Sequence, residues 1–310
     1  MGKKTIQIFN SIVNFIITII IVMLLAFAGY ALWDSKQIYG TADKSIYAVY
    51  KPTVENEGIS FMELQALNPE VFSWLTVYGT NIDYPVTQGS DNMKYVSTNA
   101  EGLYSLSGSI FLDCQNSKDF SDFNSILYGH HMEHKAMFGE IGYFSDRNIF
   151  DAHRYGNLYF DGKDHGIEFF AFIHTDAYDG LVFTANIREE EMRQLLLDDL
   201  MEKAMYKRDI GVTIGDRIVL FTTCSSASTN GRDILAGKVT DETYDDPFTN
   251  AEPNDGIGQP DTGVQSGFVK EAPVWPLLLI LILILARLIK YALVKYYENK
   301  QNRIEQCKEV

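Results

Sequence analysis

The sequence runs to 310 residues, 46% hydrophobic and 13% aromatic, which excludes a disordered chain and allows one ordinary domain with appendages or two small domains. Three widely spaced cysteines (Cys114, Cys224, Cys307) exclude a disulfide scaffold and a Cys-rich zinc site. A net charge of −15 argues against nucleic acid as a partner, and no P-loop or GxGxxG turn is present.

The charge is unevenly spread: residues 1–33 carry +2, residues 34–272 carry −20 and residues 273–310 carry +3. No charge falls between Thr5 and Trp33, and Ile12–Trp33 is apolar enough to cross the ~30 Å hydrocarbon layer as a helix. Ala26-Phe27-Ala28 imitates a signal-peptidase site, but the apolar run is longer than an h-region of roughly 7–15 residues, so an uncleaved anchor is expected. Asp34–Tyr50 predicts a short polar helix, and Phe61–Leu67 another, stopped by Asn68-Pro69. Short β-rich runs follow at Trp74–Tyr78, Ile82–Val86, Gly108–Leu112, Asn124–Tyr128, Asn157–Phe160, Gly166–His174, Arg217–Thr223 and Asp233–Val239. Arg188–Tyr206 has helical apolar spacing at Met192, Leu195, Leu196, Leu200 and Met205. Many short strands with few helices predict a mainly β domain, a closed barrel or a sandwich.

From Asp241 to Glu271 acids, Pro, Gly, Asn and Thr predict a flexible stalk. A second apolar run begins at Val274, continues through Leu277–Ala286, and after Arg287 and Lys290 resumes at Tyr291–Val294. Basic residues beyond each apolar run put both termini in the cytoplasm and residues 34–272 outside, a two-pass arrangement in the cell membrane. The expected partition is an anchor at 1–33, a helical segment at 34–60, the barrel at 61–246, a stalk at 247–273, and a membrane segment with a basic tail at 274–310.

Cys224 ends the strand-like run from Arg217 and is followed by small polar residues, a setting for an exposed nucleophile, although free cysteine is more often a buried small hydrophobe. A thiol nucleophile needs an imidazole, and His130, His131 and His134 compete for that part. Arg232 lies eight residues beyond Cys224 across a turn, where a permanent cation would stabilise an oxyanion. The three histidines have no carboxylate or thiol arrangement that fixes a tetrahedral site, so no metal and no cofactor are expected.

Tyr128-Gly129-His130-His131-Met132, Met137-Phe138-Gly139 and Thr222-Thr223-Cys224 with Arg232 downstream resemble the sortase family, class B in particular. Asn81-Ile82-Asp83-Tyr84-Pro85-Val86, Asp91-Asn92 with Tyr95, and Gly108-Ser109-Ile110-Phe111-Leu112-Asp113 fit the same class, so the resemblance runs from about Asp34 to Asp246. It implies an eight-stranded sortase barrel with a few peripheral helices, here flanked by N- and C-terminal transmembrane helices, and a Cys-His-Arg transpeptidase. By the match Cys224 is the nucleophile, His130 the acid and base, Arg232 the oxyanion or substrate stabiliser, and Asn92, Val96, Thr222 and Thr223 line the substrate groove. His131 stands where class B usually has Asn. The family's T-L-x-T-C becomes Leu220-Phe221-Thr222-Thr223-Cys224.

The implied substrates are secreted proteins or pilins with a C-terminal sorting signal, and the acceptor is an amine, a pilin lysine or a peptidoglycan cross-bridge. The second apolar run and the short Cys-to-Arg loop favour pilin polymerisation over anchoring to the wall. A catalytically silent adhesion or sensor domain is the non-enzyme alternative. A papain-like hydrolase expects the Cys before the His, the reverse of the order here. Gln259-Pro260-Asp261-Thr262-Gly263 is a variant of the family's own L-P-x-T-G substrate motif, which raises self-processing as a further expectation.

Overall fold

The computed structural model describes residues 3–53, 59–224 and 230–249. The chain divides into two compact units. Within the first, residues 3–35 belong to helix α1 (Lys3–Ala42), whose apolar stretch is long enough to cross a membrane by length and composition. The expected polar helix from Asp34 to Tyr50 is instead the last part of α1 followed by two short 3-10 turns, Lys44–Ile46 and Ala48–Tyr50. Asp43 causes the break, because its carboxylate accepts from the Ser45 N–H and caps a new turn.

The second unit is built on nine strands: β1 (Val71–Val77), β2 (Asp83–Thr87), β3 (Ile110–Leu112), β4 (Asn124–Tyr128), β5 (Tyr155–Phe160), β6 (Lys163–Asp176), β7 (Ala204–Lys207), β8 (Arg217–Cys224) and β9 (Gly231–Thr240). Their order is β5-β1-β2-β3-β4-β8-β9-β6-β7, and β5 also pairs with β6. Eight strands therefore close into a barrel, and β7 adds to it on the outside of β6. Closure removes the sheet edges that an open arrangement would expose. All eight runs read from the sequence are barrel strands.

Alternation along the strands sorts the core into two layers. Val219, Phe221, Leu235, Phe169 and Phe172 point into the barrel, where they meet Trp74, Leu112, Leu127 and Phe138. Ile218, Leu220, Ile234, Ala236 and Ile126 point outward and are covered by helix α4 (Glu190–Lys203) through Leu196, Leu197 and Leu200. β8 is apolar on both faces for this reason, as strands covered on both sides are.

Two details depart from the sequence reading. The helix predicted to Tyr206 ends at Lys203, and residues 204–207 pair with β6 as β7. The apolar Met205 imitates another helical turn, but strand pairing captures it, and its side chain is exposed. Leu197, not Leu195, faces the core, and Leu195 is exposed. Helix α2 (Ile59–Leu67) and helix α3 (Arg147–Ala152) complete the α-helices among the described residues.

The start of the expected stalk packs on the barrel. Tyr244 stacks on Tyr155 with ring centroids 4.1 Å apart, and Phe248 stacks on His153 at 4.8 Å. The rest of the stalk, the Gln259–Gly263 motif and the second apolar run lie outside the described residues.

Burial pushes the pKa values of His153 and His165 down from 6.5. His165 is stacked on Phe160 at 3.7 Å, and its buried Nδ1 has no hydrogen-bond partner among the described residues. Both rings take up a proton at lower pH in the fold than in the unfolded chain, so as pH falls below about 6.5 the unfolded chain binds more protons than the folded chain. The thermal midpoint is expected to fall as pH drops from 7 to 5, and His165→Phe should flatten that slope. Thermal melts of both proteins across this range test it, and identical slopes would contradict it.

Candidate active site

β4 and β8 run parallel with Asn124 opposite Ile218 and Tyr128 opposite Thr222, and the Gly129 N–H donates to the Thr222 carbonyl at 3.2 Å. Two residues past the last pair on each strand stand His130 and Cys224. β8 and β9 are antiparallel, and their register puts Cys224 directly opposite Arg232. Side chains so placed share a face with Cβ atoms about 4.5–5.5 Å apart. The ends of three strands thus meet at one rim of the barrel.

The same alternation assigns faces. Cys224 and Arg232 follow the outward parity of Leu220 and Ile234, and His130 follows that of Ile126. Thr223 and Asp233 follow the inward parity of Phe221 and Leu235. Asp233 is buried and accepts from His174 Nδ1 at 2.9 Å. His131 Nδ1 is buried without a hydrogen-bond partner among the described residues, and burial pushes its pKa down, partly offset by the Asp233 carboxylate. His134 meets Tyr39 edge to face, with ring centroids 4.6 Å apart. Of the three histidines that compete in the sequence, His130 is the one that the register sets level with Cys224 on the neighbouring strand.

His130 is held by its ring. Nε2 lies 2.8 Å from the Val96 carbonyl oxygen. A carbonyl only accepts, so Nε2 carries the proton in this contact and Nδ1 is the nitrogen left for proton exchange. Val96 ends a 3-10 turn, Lys94–Val96, that is fixed on several sides. Buried Tyr95 donates to Glu70 Oε2 at 2.6 Å, and burial with the nearby Glu70 pushes its phenol pKa up. The Ser109 N–H donates to the Tyr95 carbonyl at 3.0 Å. Gly108, at φ +58°, passes so close that a Cβ there would lie 2.8 Å from the Val96 carbonyl oxygen. Gly129 has a matching part at the strand end, since a Cβ would stand 2.6 Å from the Phe138 ring.

The expected groove residues divide. Val96 meets His130 through its backbone. Asn92 spans the next loop, donating to Asp113 Oδ2 at 2.7 Å and accepting from the Cys114 N–H at 2.8 Å. Tyr128 donates to the same Asp113 oxygen at 3.0 Å, tying that loop to β4. Thr222 and Thr223 are buried, and their hydroxyls have no hydrogen-bond partner among the described residues. Sequence reasoning missed Asp113 as the hub of this network, since a lone Asp after a strand carries no distinguishing signal. Arg232 is half-buried, and its Nη1 donates to the Gly231 carbonyl at 3.0 Å. Among the described residues no group of His, Cys, Asp and Glu is arranged to hold a metal.

No family model matches the chain. Among solved structures it is similar to sortase B from the type II pilus of Streptococcus pneumoniae, with 46% identity and a TM-score of 0.52 over 58% of this chain and 98% of that one. It is similar also to a Streptococcus pyogenes class B sortase involved in pilus biogenesis, with 38% identity and a TM-score of 0.54 over 59% of this chain and 99% of that one. Among curated relatives, Sortase B of Staphylococcus aureus strain NCTC 8325 is 29% identical over 183 residues, 58% of this chain and 74% of its own.

Cys224 is exposed, whereas Cys114 is half-buried with its thiol pKa pushed up by burial and by Asp113. Iodoacetamide at pH 7 is expected to modify Cys224 before Cys114, read by peptide mass spectrometry, and the reverse order would contradict the exposure pattern. A methyl at Gly108 should displace the Val96 carbonyl and release His130. In Gly108→Ala the ¹⁵N resonances of His130 should lose the signature of a protonated, hydrogen-bonded Nε2, and unchanged resonances would show that the turn absorbs the methyl.

Proposed function

The chain belongs to the class B sortases and is a cysteine transpeptidase, and on that footing we propose that Cys224, His130 and Arg232 carry the reaction and that its substrates are pilins. Sortases act on proteins that bear a sorting signal. The Cys224 thiolate attacks the Thr carbonyl of that signal and forms a C–S bond. Arg232, opposite Cys224 in the ladder, stabilises the oxyanion with its planar donors. As the Thr–Gly C–N bond breaks, His130 gives its Nδ1 proton to the leaving amine, which departs with the C-terminal fragment. An amine then attacks the thioester, a new amide forms, the C–S bond breaks, and the amine's proton returns to His130. The observation that carries this reading is the strand register that converges on Cys224. The groove role of Val96 is supported by its contact with His130, that of Asn92 by its bond to Asp113, which also holds Tyr128 at the end of β4, and that of Thr222 and Thr223 by their place before Cys224 on β8.

The acceptor is proposed to be a pilin lysine. Two pilus-associated structures support it at 46% and 38% identity, against 29% for the Staphylococcus aureus protein. The apolar part of α1 is proposed to anchor the enzyme in the cell membrane, with residues 61–246 as the catalytic barrel outside it. Lys3 and Lys4 before the first apolar run and the Lys/Arg-rich tail after the second support a second span at 274–310 and cytoplasmic termini.

The test is mass spectrometry of the acyl-enzyme with sorting-signal peptides, followed by supply of pilin-lysine or cross-bridge amines. The adduct is expected on Cys224, with resolution preferred by the lysine. Cys224→Ala and His130→Ala should abolish turnover while His131→Ala retains it. Arg232→Lys should lose on the order of 10²-fold, the scale of one oxyanion-hole donor. An adduct on Cys114 would overturn the assignment, and preference for the cross-bridge amine would move the enzyme to wall anchoring.

A further inference from the structure

Directly after Val96 the chain makes a hairpin, residues 97–108, whose polar and apolar groups are sorted in opposite directions. The Ser105 N–H donates to the Ser97 carbonyl, and Thr98 bridges to Tyr104. Asn99 closes the tip, its side-chain oxygen accepting from the N–H groups of Glu101 and Leu103 at 3.1 and 2.8 Å. The hydroxyls of Ser105 and Ser107 are buried and bond to each other at 2.7 Å. Leu103, Tyr104 and Leu106 meanwhile stand 61%, 77% and 54% exposed. In a central block of charge −20, Glu101 is the single charged residue from Tyr95 to Leu112. Internally bonded backbone with exposed Leu and Tyr suits a lipid interface, where unpaired amides are costly and Tyr partitions well.

The position of the hairpin selects that surface. Thr41 Oγ1, on the last turn of α1, bonds the hydroxyls of Ser105 and Ser107 at 2.9 and 3.2 Å. Thr41 is eight residues beyond Trp33, the last residue of the apolar run, which is about 12 Å along a helix. The outer headgroup layer takes up about half of that distance, since the two headgroup layers together make up the difference between a hydrocarbon core of about 30 Å and a bilayer of about 40–45 Å. We propose that Leu103, Tyr104 and Leu106 seat in the outer membrane–water interface, making the hairpin a second membrane contact beside the anchor. The proposal rests on α1 being that anchor. Because the hairpin begins at the residue after Val96, lipid contact would hold the turn that carries His130 close to the bilayer.

The experiment places one nitroxide label in the full chain carrying Cys114→Ala, Cys224→Ala and Cys307→Ala, reconstituted in phosphatidylglycerol–phosphatidylcholine vesicles. The label goes on Tyr104→Cys, on Ile20→Cys within the apolar run, or on Tyr178→Cys as a control at a residue 84% exposed. Collision with oxygen relative to a water-soluble nickel chelate is read by electron paramagnetic resonance. Position 104 is expected to show a several-fold higher oxygen-to-nickel ratio than position 178. A water-like position 104 with a lipid-like position 20 overturns the hairpin contact and leaves the anchor standing. Water-like values at both positions overturn the anchor as well. Shielding of position 104 from both reagents with spin–spin broadening would make the occupant a second copy. Shielding only when a sorting-signal peptide is added would make it the substrate, and either result overturns the proposal.

Discussion

The parallel pairing of β4 with β8 constrains the rest of the site, because it sets His130 and Cys224 at the same height past the ends of two neighbouring strands. Side chains alternate with period two, so a slip of one residue would turn Cys224 toward the apolar interior and bring Thr223 to the outer face. The barrel resists that slip because β8 is sorted on both sides, with Val219 and Phe221 in the interior and Ile218 and Leu220 beneath α4. A second register, between β8 and β9, adds Arg232 by the same geometry. Strand ends on a rigid barrel place reactive groups more closely than a free loop would.

Around this rim the polar chemistry is divided between two faces. Outward lie a thiol, an imidazole and a guanidinium. Inward lie Asp233, His131 and Thr223, of which His131 is kept neutral by burial. Neutral His131 avoids a buried cation next to the barrel's apolar interior, where an unpaired charge would be expensive. Asp233 is compensated by His174 across the β6–β9 ladder. The carboxylate next to Arg232 in sequence is thus engaged on the opposite face of the strand.

His130 owes its orientation to backbone rather than to another side chain. The Val96 carbonyl that meets its ring is placed by a turn whose anchors, Tyr95, Glu70, Ser109 and Gly108, come from three separate stretches of chain. A carbonyl has no pKa in the working range, so this contact sets the ring's tautomer without adding a second titrating group. Thr41, on the last turn of α1, bonds the hairpin that follows Val96 through the hydroxyls of Ser105 and Ser107.

Much of this protein was legible before any coordinates. Short β-branched and aromatic runs bounded by turn residues marked all eight barrel strands, because strand propensity and turn chemistry are local properties. The order of the motifs around His130, Cys224 and Arg232 carried the family. Other features could not be read locally. Three histidines within five residues are equivalent by residue chemistry alone; the family match picks out His130, and the register to β8 sets it level with Cys224. Residues 204–207 continue a helical pattern, and it is pairing with β6, distant in the chain, that makes them a strand. Tyr244 and Phe248 have stalk-like neighbours, yet they pack because Tyr155 and His153 offer ring faces to stack on. Val96 reads as one more apolar groove residue, whereas its carbonyl bonds the imidazole. Local pattern determined the elements and the reactive residue types. Long-range pairing decided which of those residues meet, because contacts between distant stretches depend on closure of the whole barrel.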